Sequence, residues 1–276
     1  GSSAAPPAPP ADATKAWQNP GRLETNNAGD AENAQIAMDA GGNAIAVWSQ
    51  FSGSAVSVRA NRYTPADGWG TAEVIDADET QNALNPQIAV NASGKAVAVW
   101  HQFEGNRGDI WANYFDGTKW AVAQRVEKDD VNSALSPQVA IDAGGNVMAV
   151  WIRFVKTGSS IVRLDVMANR FTPEVGWDDP EPIEAEATAN ANEPQIGVDG
   201  SGNFIAVWSQ GNTRIGANRY VAKEGWTGAV LIEAANSVVA NRAQIAVNSS
   251  GQAVACCSRI SLSKAGMMAR DGRCKT

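Results

Sequence analysis

The chain has 276 residues, a formal charge of −7 and a pI near 4.8, and it is 44% hydrophobic but only 18% charged. That length can enclose a real core, and the acidic balance argues against nucleic acid, whose phosphates require clustered Lys and Arg. No apolar run approaches the roughly 18 residues of a membrane helix, and the apolar runs broken by 26 glycines and 12 prolines fit an all-β protein.

Residues 1–13, "GSSAAPPAPPADA", offer nothing to bury and read as a disordered Ala/Pro/Ser-rich linker before a single domain spanning 14–276. Such a tether resembles the segment behind the lipidated cysteine of bacterial lipoproteins. An extracytoplasmic setting is therefore expected: secreted, periplasmic or surface-tethered. The next stretch, "AWQNPGRLE" (16–24), acquires a meaning only from the repeats beyond it.

From Gln35 onward one phrase recurs five times, marked by Gln35, Gln87, Gln138, Gln195 and Gln244 at intervals of 52, 51, 57 and 49 residues. Each Gln opens a short alternating strand and a Gly-containing turn begun by Asp or Asn, which satisfies turn backbone. A second strand ends nine residues after that Asp or Asn, at Trp48, Trp100, Trp151, Trp208 and Cys257. A third carries "RANRY", "WANYF", "MANRF" and "GANRY", and weakly "MARDG". The fourth opens with Trp69, Trp120, Trp177 or Trp226, and six residues on reaches Ile75, Val126, Ile183 or Ile232. An acid always comes next: Asp76, Glu127, Glu184 or Glu233.

The unit is a four-stranded antiparallel meander of about fifty residues, too thin to bury both faces alone, so the copies must pack on one another. Its length and strand count resemble the blades of a β-propeller. The fifth copy lacks a fourth strand, and "AWQNPGRLE" supplies the missing pattern through Trp17, Leu23 and Glu24. The fold expected is all-β: a five-bladed β-propeller of four-stranded antiparallel blades whose N-terminal strand closes the C-terminal blade, a closure resembling propeller "velcro". With "ACCS" in place of Val-Trp, that last blade should be looser.

Nine of the ten tryptophans occupy two repeat positions. Those ending second strands come after apolar "AVAVW"-type runs and read as core; those opening fourth strands read either as core or as sugar-stacking surfaces. The residue two before each Gln varies among Asn33, Asn85, Ser136, Glu193 and Arg242, in a pre-Gln loop of constant length. A constant frame with a variable polar position suits a binding rim. The alternative is that each Gln bonds neighbouring backbone. The longest joining loop, "RFVKTGSSIVRLD" (153–165), offers Phe154, Lys156 and Arg163 as contacts for a partner.

Catalysis finds less support. The turns depart from the Asp-box of sialidase-type propellers, which they resemble only loosely, since Gly falls three residues after Asp39 and Asp142 rather than two. Five-bladed glycosidases converge acids on an axis, but Glu24, Asp76, Glu127, Glu184 and Glu233 are near-identical in every copy, and an acid/base pair needs unlike environments. His101 stands alone, and Cys256, Cys257 and Cys274 show neither a disulfide framework nor metal spacing. The resulting expectation is a monomeric, non-catalytic binding module without metal or cofactor. By resemblance to five-bladed lectins its ligand is carbohydrate, held by the five Gln, the five variable residues and the fourth-strand Trp. A cell-surface protein partner is the alternative and a glycoside hydrolase the third reading.

Overall fold

The computed structural model describes residues 21–24, 29–157, 160–184, 189–211, 213–232, 239–262 and 268–275. The expected linker, Trp17 and Glu233 lie outside the described residues. Among those described there is no helix, and hence none long and apolar enough to cross a membrane.

The strands form five antiparallel sheets in chain order. The first contains Ala31–Met38, Ala44–Phe51 and Val56–Thr64, with the short pieces Gly68–Trp69 and Glu73–Val74 both paired to its third strand. The second contains Ala83–Val90, Ala96–Glu104, Arg107–Phe115 and Gln124–Arg125. The third contains Ser133–Ile141, Val147–Thr157 and Ser160–Thr172, with Gly176–Trp177 and Glu181–Pro182. The fourth repeats the plan in Ala191–Val198, Phe204–Gln210 and Arg214–Val221, with Gly225–Trp226 and Val230–Leu231. The fifth has three strands, Val239–Val247, Ala253–Leu262 and Met268–Lys275.

The hairpin turns form where the sequence places them. Asp39 Oδ1 accepts from the N–H groups of Gly41 and Asn43 at 2.8 and 2.9 Å, and Asn43 Nδ2 donates to Asp39 Oδ2 at 2.7 Å. Asp142 and Asp199 make the corresponding bonds to Asn146 and Asn203. The glycine of each turn has φ of 82°, 91° and 79° at Gly42, Gly145 and Gly202, a region open to a residue without Cβ.

Two repeated side chains join one sheet to the next. Asn113, Asn169 and Asn218, on third strands, each donate from Nδ2 to the carbonyl that ends the preceding sheet's outer strand: Ile75, Val126 and Ile183, at 2.9 to 3.0 Å. Asn61 donates in the same way to Leu23 at 2.9 Å, so the N-terminal segment stands beside the first sheet as an outer strand of a preceding sheet would. The second device is a Trp–Gln pair. Trp48, Trp100 and Trp208 donate from Nε1 to Gln50, Gln102 and Gln210, and each Gln Nε2 holds a carbonyl of the inter-sheet link, that of Gly29, Asp78 or Ala189. A buried indole is thereby satisfied without water.

The core lies between sheets, where residues of one sheet's second and third strands meet the next sheet's first and second: Val47, Val58 and Ile75 pack with Ala96, Ala98 and Trp100. The same layer recurs as Val150, Val166 and Ile183 against Ala206 and Trp208. Gly216 faces Trp208 so closely that a Cβ there would lie 2.4 Å from its Cε2. Gly216→Ala should therefore cost about 1–3 kcal/mol by overpacking, read as a lowered denaturation midpoint with unchanged slope.

Three expectations need correction. The pre-Gln loops are strand: each first strand begins about four residues before its Gln, and an irregularity in pairing falls between, as at Glu32/Gln35 and Leu84/Gln87. Asn33, Asn85, Ser136, Glu193 and Arg242 have φ between 52° and 56°, so the variable position is the left-handed residue of a β-bulge. The long loop 153–165 is likewise a hairpin extension, with Phe154 opposite Leu164 and Arg163 opposite Val155. Finally, the sheets do not close on one another among the described residues. Ile36 and Met38 on the first strand are 60% and 62% exposed, whereas their counterparts Ile88 and Val90 pack on the sheet before them. In the fifth sheet Ala269 stands opposite Ser261, not where Ala60 pairs with Val47, and Cys256 stands opposite Cys274.

Candidate functional site

Register separates the residues that sequence reading grouped together. The fourth-strand Trp69, Trp120, Trp177 and Trp226 lie at the end of the sheets that carries the Asp/Asn–Gly turns, each half-buried against an aromatic of its own third strand, with ring centroids 5.3 to 5.6 Å apart. The bulge residues lie at the other end and are exposed. Gln35, Gln87, Gln138, Gln195 and Gln244 sit just inside them, half-buried or exposed. Glu193 reaches the next sheet, where its Oε2 accepts from the Arg242 N–H at 2.6 Å. The Trp set and the Gln set are therefore not one site.

The acids that look alike in sequence have unlike surroundings. Asp76 and Glu184 return to their own third strand, accepting from the N–H of Val58 and Val166 at 2.8 and 3.2 Å. Glu127 does not. It is 2% exposed, and its carboxylate accepts instead from Arg125 Nε at 2.8 Å and from the Asp129 N–H at 2.7 Å. Burial pushes its carboxyl up to about 7, helped by the neighbouring Asp109 carboxyl and opposed by the Asp129 N–H and Arg125. Burial likewise raises Glu184 to about 7, with Asp165 beside it, and Asp76 to about 6.

A cavity of about 370 Å³ opens between the second and third sheets at the bulge-bearing end. Glu127, Asp129, Asn132, Trp151 and Arg153 are among its walls. Asp129 is the counterpart of Glu127 in charge. Burial acts to raise it, but hydrogen bonds from Asn132 Nδ2 and the N–H groups of Val131 and Asn132, with Arg153 nearby, hold it below the ordinary range. Arg153 occupies the position of Gln50, Gln102 and Gln210, so Trp151 lacks the glutamine that its counterparts bond. The Arg153 guanidinium donates from Nη2 to Asp165 Oδ2 at 2.7 Å, and its buried Nε has no hydrogen-bond partner among the described residues. Arg163 also binds Asp165, while Lys156 N–H donates to Asn132 Oδ1 at 2.9 Å. Phe154, Lys156 and Arg163 thus belong to the hairpin bordering this cavity.

Asp109, Asp129, Arg153 and Asp165 did not emerge from the sequence. A signal was present: the run "WSQ", "WHQ", "WIR", "WSQ" breaks its own rule once, at Arg153. His101 is buried, stacks edge-on against Phe103 at 5.3 Å and is held neutral by a pKa lowered to about 4 through burial. Among the described residues no cluster of His, Cys, Asp and Glu has the form of a metal site.

These carboxyls predict an unusual pH dependence. Asp76, Glu127 and Glu184 have folded pKa values above their ordinary ones, so the folded chain binds more protons and loses stability as pH rises through about 6 to 7. Lowered carboxyls such as Asp116, Asp129 and Asp199 act oppositely, losing stability only as pH falls below about 4. Thermal midpoints should therefore be higher at pH 5 than at pH 8. A midpoint rising over that interval would contradict this assignment.

The sequence matches no protein-family model and no curated protein. Solved structures do resemble the fold. A protein of unknown function from Dyadobacter fermentans superimposes with a TM-score of 0.59 at 9% identity, over 85% of this chain and 77% of its own. The polysaccharide lyase Uly1 gives 0.56 at 12% identity over 87% of this chain, which spans little more than half, 57%, of the lyase. The α-L-arabinofuranosidase of Fusarium graminearum, in complex with arabinobiose, gives 0.53 at 11% identity, over 88% of this chain and 76% of its own.

The fold is of the β-propeller type. The expectation of a non-catalytic, lectin-like module is overturned: similar folds belong to enzymes that act on glycans, and the fivefold equivalence of the acids fails at Glu127.

Proposed function

We propose that the protein is a glycan-cleaving enzyme, a glycoside hydrolase acting in the cavity between the second and third sheets. The observation that carries this reading is Glu127, the acid that leaves the third-strand N–H its counterparts cap, takes Arg125 and the Asp129 N–H instead, and keeps its proton near neutrality beside the ionised Asp129. Two carboxyls pushed apart in pKa suit acid and base duties in glycosidic cleavage. Glu127 donates its proton to the leaving oxygen. Asp129 acts on the sugar carbon, directly or through water. The Arg153 guanidinium holds an oxygen substituent of the sugar, and Trp151 forms a wall for the ring. The fold's likeness to a polysaccharide lyase and an arabinofuranosidase supports the substrate class.

The five sheets are blades of one propeller, since first strands of successive sheets neighbour one another throughout the chain. The domain 14–276 works as one monomeric, extracytoplasmic unit. The exposed bulge residues and the Gln set line the end at which substrate enters. Arabino-oligosaccharides and uronate- or sulfate-bearing polysaccharides are the substrates to screen, with new reducing ends as the readout. Products that absorb in the ultraviolet as unsaturated sugars would replace hydrolysis by elimination. No cleavage of any polymer would reject an enzymatic role.

A further inference from the structure

A second cavity, of about 190 Å³, lies between the same two sheets but at their opposite, turn-bearing end. Tyr114, Phe171, Trp177, Pro173, Val122 and Gln124 are among its walls. It exists because the repeat is broken there. The residue before the third-strand aromatic is Arg62, Arg170 or Arg219 in the first, third and fourth sheets and Tyr114 in the second. Arg62 and Arg170 each reach across to the next sheet, with the guanidinium carbon 5.9 Å from the ring centre of Phe115 or Tyr220. Arg219 bonds the turn acid Asp199 at 3.1 Å. In the second sheet the turn residue is Asn91, so both members of that charged pair are missing.

Tyr114 packs its ring 5.1 Å from Phe171, which in turn lies 5.4 Å from Trp177, leaving unfilled space beside three aromatic rings. The Tyr114 hydroxyl is enclosed and has no partner among the described residues. Gly145 gives it room, since a Cβ there would lie 2.6 Å from that oxygen. Apolar walls with a few unsatisfied polar atoms are the common form of a small-ligand site. The volume is below the roughly 300–1,000 Å³ of drug-sized sites and suits a single ring. Sugars present a C–H face to aromatic rings and hydroxyls to polar atoms at the edge. The surroundings carry both signs of charge: Asp116, Asp142 and Glu174 act on Tyr114, while the Lys95 side chain runs past Gly145 beside it, so the pocket offers no net cationic site for an anion.

We infer that this pocket is an accessory subsite for one neutral sugar ring, stacked on Trp177 and Phe171 and hydrogen-bonded by the Tyr114 hydroxyl. It occurs once per chain and lies at the other end of the sheets from the Glu127 cavity. It stands on different residues from the reaction proposed above and does not depend on it.

The test uses the full chain carrying Glu127→Gln, so that bound sugars persist. A printed array of neutral and acidic oligosaccharides is screened, and the best neutral binder is titrated by calorimetry. Tyr114→Arg restores the repeat's own residue and should fold, and its side chain fills the pocket. It should weaken binding at least tenfold, while Tyr114→Phe, which removes only the hydroxyl, should weaken it ~3- to 10-fold. In the parent chain Tyr114→Arg should leave cleavage of short substrates unchanged. Neutral-sugar affinity unaffected by both Tyr114 variants, or an array that binds acidic sugars alone, would overturn the assignment. Tyr114-dependent binding without any detectable cleavage would sustain this subsite and reject the hydrolase.

Discussion

Glu127→Gln is expected to lower kcat on the cleaved glycan by about 10²–10⁴-fold, the range lost when a positioned general acid is removed. The amide keeps the size of the carboxyl and can still accept from Arg125 or the Asp129 N–H, so the fold should persist. Its stability at pH 8 should match or exceed that of the parent, because a carboxyl whose pKa is raised by burial is destabilising once ionised. Lost activity with retained or improved thermal stability separates a chemical role from a structural one. The pH profile gives an independent reading. If Glu127 acts as the proton donor, kcat/KM falls above about pH 7 in the parent, and that limb disappears from the residual activity of the variant. The same substitution at Glu184 should cost far less turnover, since Glu184 caps the Val166 N–H and is not among the cavity's walls. Equal losses at both positions would show that the acids act structurally.

Trp208→Ala should destabilise the fold by about 3–5 kcal/mol, among the largest effects of any single substitution in this chain. Its indole is fully buried against Val166, Ile183 and Phe204, so truncation leaves a cavity between the third and fourth sheets. It also removes the indole N–H that Gln210 Oε1 accepts at 2.6 Å, a bond that orients the glutamine whose Nε2 holds the Ala189 carbonyl. Trp208→Phe should recover much of the packing but not the hydrogen bond, giving an intermediate loss in chemical denaturation. A loss under about 1 kcal/mol for Trp208→Ala would mean that the two sheets do not share a core.

The two expectations for Glu127 and Trp208 differ in how far the sequence anticipated them. Trp208 was legible: it ends an apolar alternating run, repeats at a fixed distance from a turn acid, and is buried as that pattern requires. Glu127 was not. Its counterparts share its place in the repeat, and only the fold shows that it abandons the backbone bond that Asp76 and Glu184 keep. The variable polar position before each Gln was visible too, but as a rim residue. Its left-handed backbone, shared by Asn33, Ser136 and Arg242 alike, reflects a bulge imposed by strand pairing rather than a preference of those side chains.

Residues close in the chain are governed by local rules, which five copies repeat until they cannot be missed. Alternation, the Asp–Gly turns, the Trp positions and the strand count were all determined at this level, and with them an all-β meander of packed sheets. The site depends on residues brought together from different strands and sheets. Asp109 lies 18 residues before Glu127, and Arg153 lies 26 after it. Asp109 acts on the Glu127 proton and Arg153 on Asp129, through burial and through charge across a low-dielectric gap, neither of which has a sequence period. Tertiary structure alone therefore decided which of the repeated acids is set apart, and that the Gln and Trp sets stand at opposite ends of the sheets.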